Sequence, residues 1–226
     1  MSANPLGRAG TGARQESVRI GRQALPGTLE LPEHPLGIVV FANELAASHA
    51  STRNARWAKV WRSFGLGALL LDLLTEPEAQ DRRSVLGVPL LGARLADALD
   101  WLERRHELLG VPIGLFGVGT GAAVALLVAA RQAESVGAVV CSDGRTDFVS
   151  AYLPRVRAPT LLLVSSQAEA TLGPINRAAL SVLTCNKRLE TLPRAVSGDL
   201  DDSDLPDITV SLAGHWFERH LNRLQH

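Results

Sequence analysis

The chain has 226 residues, 46% of them hydrophobic, and its 23 Lys and Arg balance its 23 Asp and Glu. This length and composition fit one α/β domain with a sizeable core. The balanced charge excludes the strongly basic surface that nucleic-acid binding uses, and we expect neither a nucleic acid nor a membrane as partner. Two cysteines without a Cys-x-x-Cys pair indicate neither a disulfide framework nor a zinc site, and they fit a cytoplasmic location.

The first residues, 1–16, are rich in Gly, Ala and Arg and lack the apolar run of a secretory signal. We predict a disordered N-terminal tail there and a single domain over residues 17–226. The longest apolar run, 122–130, is much shorter than the roughly 20 residues that cross a bilayer.

The hydrophobic pattern predicts strands and helices in alternation. Two short strands, at 17–21 and 28–31, precede a continuous apolar strand at 37–41. A helix follows at 53–64, then a strand at 67–71. A long amphipathic helix then extends from Leu91 to Leu109, and Gly110 ends it.

In the second half, a strand near 112–117 leads directly into the helix at 122–130, which is apolar on every side and therefore predicted to be buried. Further strands are predicted at 136–141, 159–165 and 187–192, with helices at 172–183 and 208–224. The alternation predicts an α/β protein of three layers. Its central sheet would be mainly parallel, with about seven or eight strands and the first two partly antiparallel.

The most informative motif is Gly117-Val118-Gly119-Thr120-Gly121, between the strand near 112–117 and the apolar helix. It has the G-x-S-x-G form of a nucleophile elbow, with Gly119 at the serine position. An elbow holds one reactive side chain at the tip of a strained turn, and glycine has none. The chain therefore has the frame of a hydrolase without its nucleophile.

The order and spacing of several strings resemble the α/β-hydrolase fold, and within it the dienelactone-hydrolase-like branch. These strings are Val40-Phe41-Ala42, Leu70-Leu71-Asp72, Gly114-Leu115-Phe116-Gly117 and Arg157-Ala158-Pro159-Thr160. The resemblance covers about residues 37–221. It implies an enzyme that hydrolyses esters or lactones with a Ser or Cys nucleophile, a histidine and an acid.

Position by position, the resemblance places Gly119 at the nucleophile, Ala168 at the acid and Ser197 at the histidine. We therefore expect no catalytic residue, no cofactor and no metal. On this hypothesis the protein is a catalytically silent relative of the hydrolases, a pseudoenzyme, that keeps a pocket or surface for a small molecule or a protein partner. The residues that the resemblance places around the pocket and oxyanion loop are Asn43, Glu44 and Thr120.

A second hypothesis is a hydrolase of ester or lactone bonds that uses other groups. Glu44 resembles the glutamate beside the nucleophile of dienelactone hydrolases and would serve as a base for a bound water. His49 lies in the loop after the first long strand, at the sheet edge where α/β proteins bind ligands. Cys141 ends a strand at the same edge, and its reactivity requires a lowered thiol pKa.

A third hypothesis is dinucleotide binding. Gly117, Gly119 and Ala122 fit the variant fingerprint G-x-G-x-x-A, and Asp143 follows the next strand near the expected ribose-binding position. Glycines there would let a phosphate approach the helix N-terminus. Against this, the fingerprint usually opens the first βαβ unit, and here other strand–helix units precede it. The sequence does not identify the ligand, and it is compatible with a homodimer.

Overall fold

The structure is a computed structural model, and it describes residues 14–43, 52–193 and 207–222. Its strands are β1 (Arg14–Ile20), β2 (Leu25–Leu31), β3 (Gly37–Asn43), β4 (Leu66–Asp72), β5 (Ile113–Val118), β6 (Val136–Ser142), β7 (Thr160–Ser165) and β8 (Lys187–Leu192). They form one sheet in the order β1-β2-β4-β3-β5-β6-β7-β8. β2 is antiparallel to both β1 and β4, and all other pairs are parallel, as the sequence predicted.

Helices cover both faces of this sheet. They are α1 (Thr52–Arg62), α2 (Glu76–Ala79), α3 (Arg82–Val85), α4 (Val88–Glu103), α5 (Thr120–Arg131), α6 (Glu169–Val182) and α7 (Asp207–Leu221). Two 3₁₀ segments, His106–Leu108 and Thr146–Arg155, complete the described elements. Residues of α4, α5 and α6 belong to one hydrophobic core, and residues of α1 and α7 belong to another. The predicted three-layer α/β class is confirmed.

The central strands read as continuous apolar runs because both of their faces are buried. In β3, Ile38 and Val40 pack into the core under α4 and α5, whereas Val39 and Phe41 pack into the core under α1 and α7. All ten residues from Thr120 to Ala129 in α5 are buried, which confirms the prediction made from its apolar sequence.

Two boundaries differ most from the sequence prediction, and each has a local cause. β1 begins at Arg14, so residues 14–16 belong to a strand and not to the predicted tail 1–16. Only Val18 and Ile20 of β1 are buried, and a mostly exposed edge strand gives a weak apolar pattern. The long helix α4 ends at Glu103, since a short 3₁₀ segment supplies Leu108 to the core instead. In the described ranges, no helix is long and apolar enough to cross a membrane.

Candidate functional site

The turn between β5 and α5 consists of one residue, Gly119. Its backbone has φ 57° and ψ −120°, a conformation that L side chains rarely adopt and that glycine adopts without strain. The N–H of Gly119 donates to the carbonyl of Ser142 at 3.1 Å, and its own carbonyl accepts the N–H of Arg145 at 3.0 Å. The tip of the turn is therefore fixed to the end of β6 and the loop that follows it.

Gly117 is required by a close approach between β5 and α5. A Cβ atom on Gly117 would lie 2.3 Å from the carbonyl oxygen of Gly121, well inside van der Waals contact. Thr120 is the first residue of α5 and is buried. Its N–H belongs to the first helical turn, where N–H groups have no acceptor within the helix. A free N–H at this position can donate a hydrogen bond to an oxyanion.

Hydrogen bonds also connect the carboxyl ends of β6 and β7. Asp143 follows β6 with φ 46°, unusual for a residue other than glycine, and its Oδ1 accepts the N–H of Ser165 at 2.7 Å. The N–H of Ala168 donates to the carbonyl and the Oγ of Ser165, at 3.0 Å and 3.3 Å. Gly119 and Ala168 therefore lie at the same edge of the sheet, linked through these strand ends.

The structure does not describe several residues that the sequence analysis proposed. Glu44, His49 and Ser197 lie outside the described residues. Asn43 is the last residue of β3 and pairs in register with Asp72, and only its backbone is described.

The structure contradicts the proposal of Cys141 as a nucleophile. Its side chain is fully buried in the core under α5, and its thiol donates a weak hydrogen bond to the carbonyl of Ala122 at 3.8 Å. Burial raises the pKa of the Cys141 thiol, because the thiolate would have to form without water. A buried thiol of this kind is inert.

Two observations weigh against the dinucleotide hypothesis. The close packing of Gly117 on Gly121 accounts for part of the glycine pattern without a phosphate. One carboxylate oxygen of Asp143, the predicted ribose acceptor, already accepts a backbone N–H.

An apolar groove of about 410 Å³ lies between α6 and the 3₁₀ segment Thr146–Arg155. The segment begins directly after Arg145, whose N–H binds the carbonyl of Gly119, and the side-chain amide of Asn176 in α6 donates to the carbonyl of Gly144 at 3.0 Å. The two elements that form the groove are thus hydrogen-bonded to the turn at Gly119 and to the loop after β6. No sequence pattern indicated this groove, because the 3₁₀ segment has neither strand nor helix periodicity. Residues lining its apolar part are Leu153, Pro174, Ile175, Ala178, Ala179 and Val182.

The loop after β4, at the same sheet edge, is held by a buried arginine that the sequence analysis also missed. Arg94 of α4 donates to both carboxylate oxygens of Glu78 and to the carbonyl of Leu73. Glu78 also accepts from the N–H and hydroxyl of Thr75, a capping box at the start of α2. The Arg94 guanidinium, more than any other group, lowers the pKa of Glu78 to about 2.

The ranges 14–43, 52–193 and 207–222 contain no group of three or more His, Cys, Asp or Glu arranged to hold a metal ion.

The fold and part of the sequence match known proteins, although no protein-family model matches the chain. Two Mycobacterium tuberculosis proteins, provisionally named phosphoribosyl transferases, are 37% identical over 210 residues. The match covers 92% of this chain and 47% of theirs, so the chain spans about half the length of these curated relatives.

Among solved structures, a dienelactone hydrolase-like promiscuous phosphotriesterase from metagenomic libraries has a TM-score of 0.68 at 18% identity, over 94% of this chain and 98% of that chain. This similarity shows the fold alone. A dienelactone hydrolase from Anabaena variabilis has a TM-score of 0.82 and 36% identity, and the match covers 92% of this chain and 97% of that one. Identity of that extent over nearly the full length of both proteins means that this chain belongs to the dienelactone hydrolase-like family of α/β-hydrolases.

Proposed function

We propose that this chain is a catalytically silent member of its family that binds a small organic molecule at the carboxyl edge of the sheet. The observation that carries the proposal is Gly119, at the tip of the strand–helix turn with φ 57° and ψ −120°. The backbone of a nucleophile elbow is retained there, and the side chain that would attack a substrate is absent. The acid and histidine positions, Ala168 and Ser197, carry no titratable group either.

No nearby thiol replaces the missing nucleophile. Cys141 is fully buried, and its thiol is bonded to a helix carbonyl. Thr120 is buried at the start of α5, so its hydroxyl does not occupy the tip of the turn. Backbone amides at that helix start would still attract the oxygen of a bound carbonyl or carboxylate.

The groove between α6 and the 3₁₀ segment supports binding of the apolar part of such a molecule. Its volume of about 410 Å³ lies within the range of small-molecule sites, roughly 300–1,000 Å³. Thr146, Asp147 and Ser150 are the polar residues of its lining, and the Asp147 carboxylate is paired with Arg145. An acyl chain or one aromatic ring fits this combination.

The phosphoribosyl transferase name of the mycobacterial relatives is not transferred to this chain. The chain matches only 47% of those proteins, and the name can refer to an activity of the part that this chain does not match.

The test is hydrolysis of 4-nitrophenyl esters and of a dienelactone by the purified chain, with heat-denatured protein as the control. We expect no saturable turnover above the control. Gly119→Ser alone stays inactive, because a serine without a base is a weak nucleophile. The triple change Gly119→Ser, Ala168→Asp, Ser197→His tests whether the three positions can work together, and its expected result is measurable turnover.

Saturable turnover by the unmodified chain would overturn the proposal. If Glu44→Gln or His49→Ala abolished that turnover, the chain would be a hydrolase in which a carboxylate or imidazole activates a bound water. Cys141→Ala serves as the matched control, since its thiol is buried and no change is expected from it.

A further inference from the structure

The outer strand β8 has one edge whose backbone groups bind no other strand in the described part of the chain. β8 is last in the sheet and pairs with β7 alone. An unpaired edge of this kind is a template for a strand of another molecule unless something protects it.

The hydrogen bonds to β7 show which residues of β8 face outward. The N–H of Thr160 donates to the carbonyl of Asn186 at 2.8 Å, and the N–H of Ser166 donates to the carbonyl of Leu192 at 3.0 Å. Backbone groups alternate in direction along a strand. Even-numbered residues of β8 therefore bind β7, and the groups of Lys187, Leu189 and Thr191 point to the free edge.

In an antiparallel pair of two β8 strands, the residues that point to the free edge must face each other. This happens when the two-fold axis lies between the strands, level with residue 188, 189 or 190. An axis at Arg188 sets that arginine against its own copy, and an axis at Glu190 sets two glutamates against each other. An axis at Leu189 places Arg188 opposite Glu190 of the second copy, and the symmetry makes this contact twice. These are non-hydrogen-bonded positions of the ladder, where facing side chains lie closest.

The other face of β8 is also complementary in this register. Lys187 donates to the carbonyl of Leu183, the residue directly after α6, and Thr191 donates to the carboxylate of Glu169 at the start of α6. With the axis at Leu189, Lys187 lies opposite Thr191 of the second copy and so approaches the carboxylate of Glu169. Because Glu169 already pairs with Arg177, the contact between Arg188 and Glu190 supplies most of the charge complementarity of this register.

We propose that the protein forms a homodimer by antiparallel pairing of two β8 strands about a two-fold axis at Leu189. The pairing joins the two eight-stranded sheets into one continuous sheet. Lys187, Arg188 and Thr191 are exposed and accessible for it. Two six-residue strands bury less surface than a standard interface, so the dimer is expected to dissociate in roughly the micromolar range.

The test is the mass of the full chain in solution, by sedimentation or light scattering, from about 1 to 100 µM, across the expected dissociation constant. The mass of the unmodified chain should rise from one copy to two. Arg188→Glu sets glutamate against glutamate across the axis, and Glu190→Arg sets arginine against arginine. Each should weaken dimerisation about tenfold or more, and the double exchange Arg188→Glu, Glu190→Arg should restore it.

Arg157→Glu is the control, because Arg157 is an arginine outside β8 that is at least as exposed as Arg188, and its change should leave the dimer intact. Arg188 and Glu190 also form an ion pair within the strand, so urea unfolding of each variant separates lost dimerisation from lost stability. A chain that stays monomeric at the highest concentration would overturn the proposal. A dimer that is insensitive to both single charge changes would overturn it as well.

Discussion

Arg94 binds Glu78 with both terminal nitrogens of its guanidinium, at 2.8 Å and 2.7 Å, although the two residues lie in different helices. The Arg94 side chain is 5% exposed and that of Glu78 is 31% exposed. A third bond, to the carbonyl of Leu73 at 2.7 Å, ties this pair to the chain leaving β4. The pair therefore holds the loop after β4 in place, at the same edge of the sheet as Gly119.

Arg94→Met should lower the free energy of unfolding by about 2–4 kcal/mol. The change leaves a carboxylate and a carbonyl without their buried donor, and methionine keeps most of the packing volume. Urea denaturation at neutral pH measures the loss. The matched control is Arg157→Met, whose ion pair with Glu134 is exposed on both sides and should contribute about 1 kcal/mol or less. Equal effects of the two changes would contradict the structural role of Arg94.

The contribution of Glu78 should depend on pH. Its pKa is about 2 in the folded protein and 4.5 in the unfolded reference, so the unfolded chain binds the proton more readily as the pH falls. The stabilisation is fully present above about pH 4.5 and is lost as the pH falls toward 2. Glu78→Gln should therefore destabilise the protein at neutral pH, and this difference should shrink at about pH 3. A difference that grows on acidification would reverse the sign and refute the interpretation.

The glycines of the turn should differ in what they tolerate. Gly119→Ala should cost about 1–3 kcal/mol, because the new side chain is forced into a rare backbone conformation. Gly117→Ala should cost more, since its Cβ would overlap the carbonyl of Gly121. Gly110→Ala is the control, with φ 79° and nothing within 4 Å of the added Cβ, so its cost is that of backbone conformation alone, about 1 kcal/mol. Thermal or urea unfolding ranks the three, and a fully stable Gly117→Ala protein would rule out the close approach.

The two cysteines should differ in reactivity toward a thiol reagent. Cys185 is partly exposed, and its thiol donates a weak hydrogen bond to the hydroxyl of Thr160 at 3.6 Å. Cys141 is fully buried with a raised thiol pKa. Native protein should react through Cys185 alone at neutral pH, and both thiols should react after unfolding. Rapid native labelling of a Cys185→Ser variant would show that Cys141 is accessible after all.

The fold could be predicted from the sequence because its clearest patterns lie within single strands and helices, and because both faces of the sheet are covered by a hydrophobic core. Runs such as Gly37–Asn43 are apolar without alternation, and only a strand buried on both faces needs that composition. The edge strand β1 gave the opposite signal, with polar residues on its exposed side, and its start was placed too late. The end of α4 was placed too late for a related reason, as Leu108 continues the apolar spacing from a separate turn.

The candidate site could be predicted only where its residues are consecutive in the sequence. Gly119 was identified because a strand, a glycine turn and a helix are consecutive in sequence. Arg94 and Glu78 are sixteen residues apart, and their contact depends on how α4 packs on the loop after β4. Asp143 was noticed for its position after a strand, but its bond to the N–H of Ser165 requires the pairing of β6 with β7.

A side chain at Gly117 would overlap the start of α5. This constraint affects how the motif changes when an enzyme of this fold loses its activity. The small residues flanking the turn are kept by the contact between strand and helix, whether or not the residue at the tip reacts with anything. Selection for folding alone would preserve them long after selection for turnover has ended. A descendant that has stopped hydrolysing esters would thus keep the outline of the motif, and within the motif itself the change would show as one missing hydroxyl or thiol.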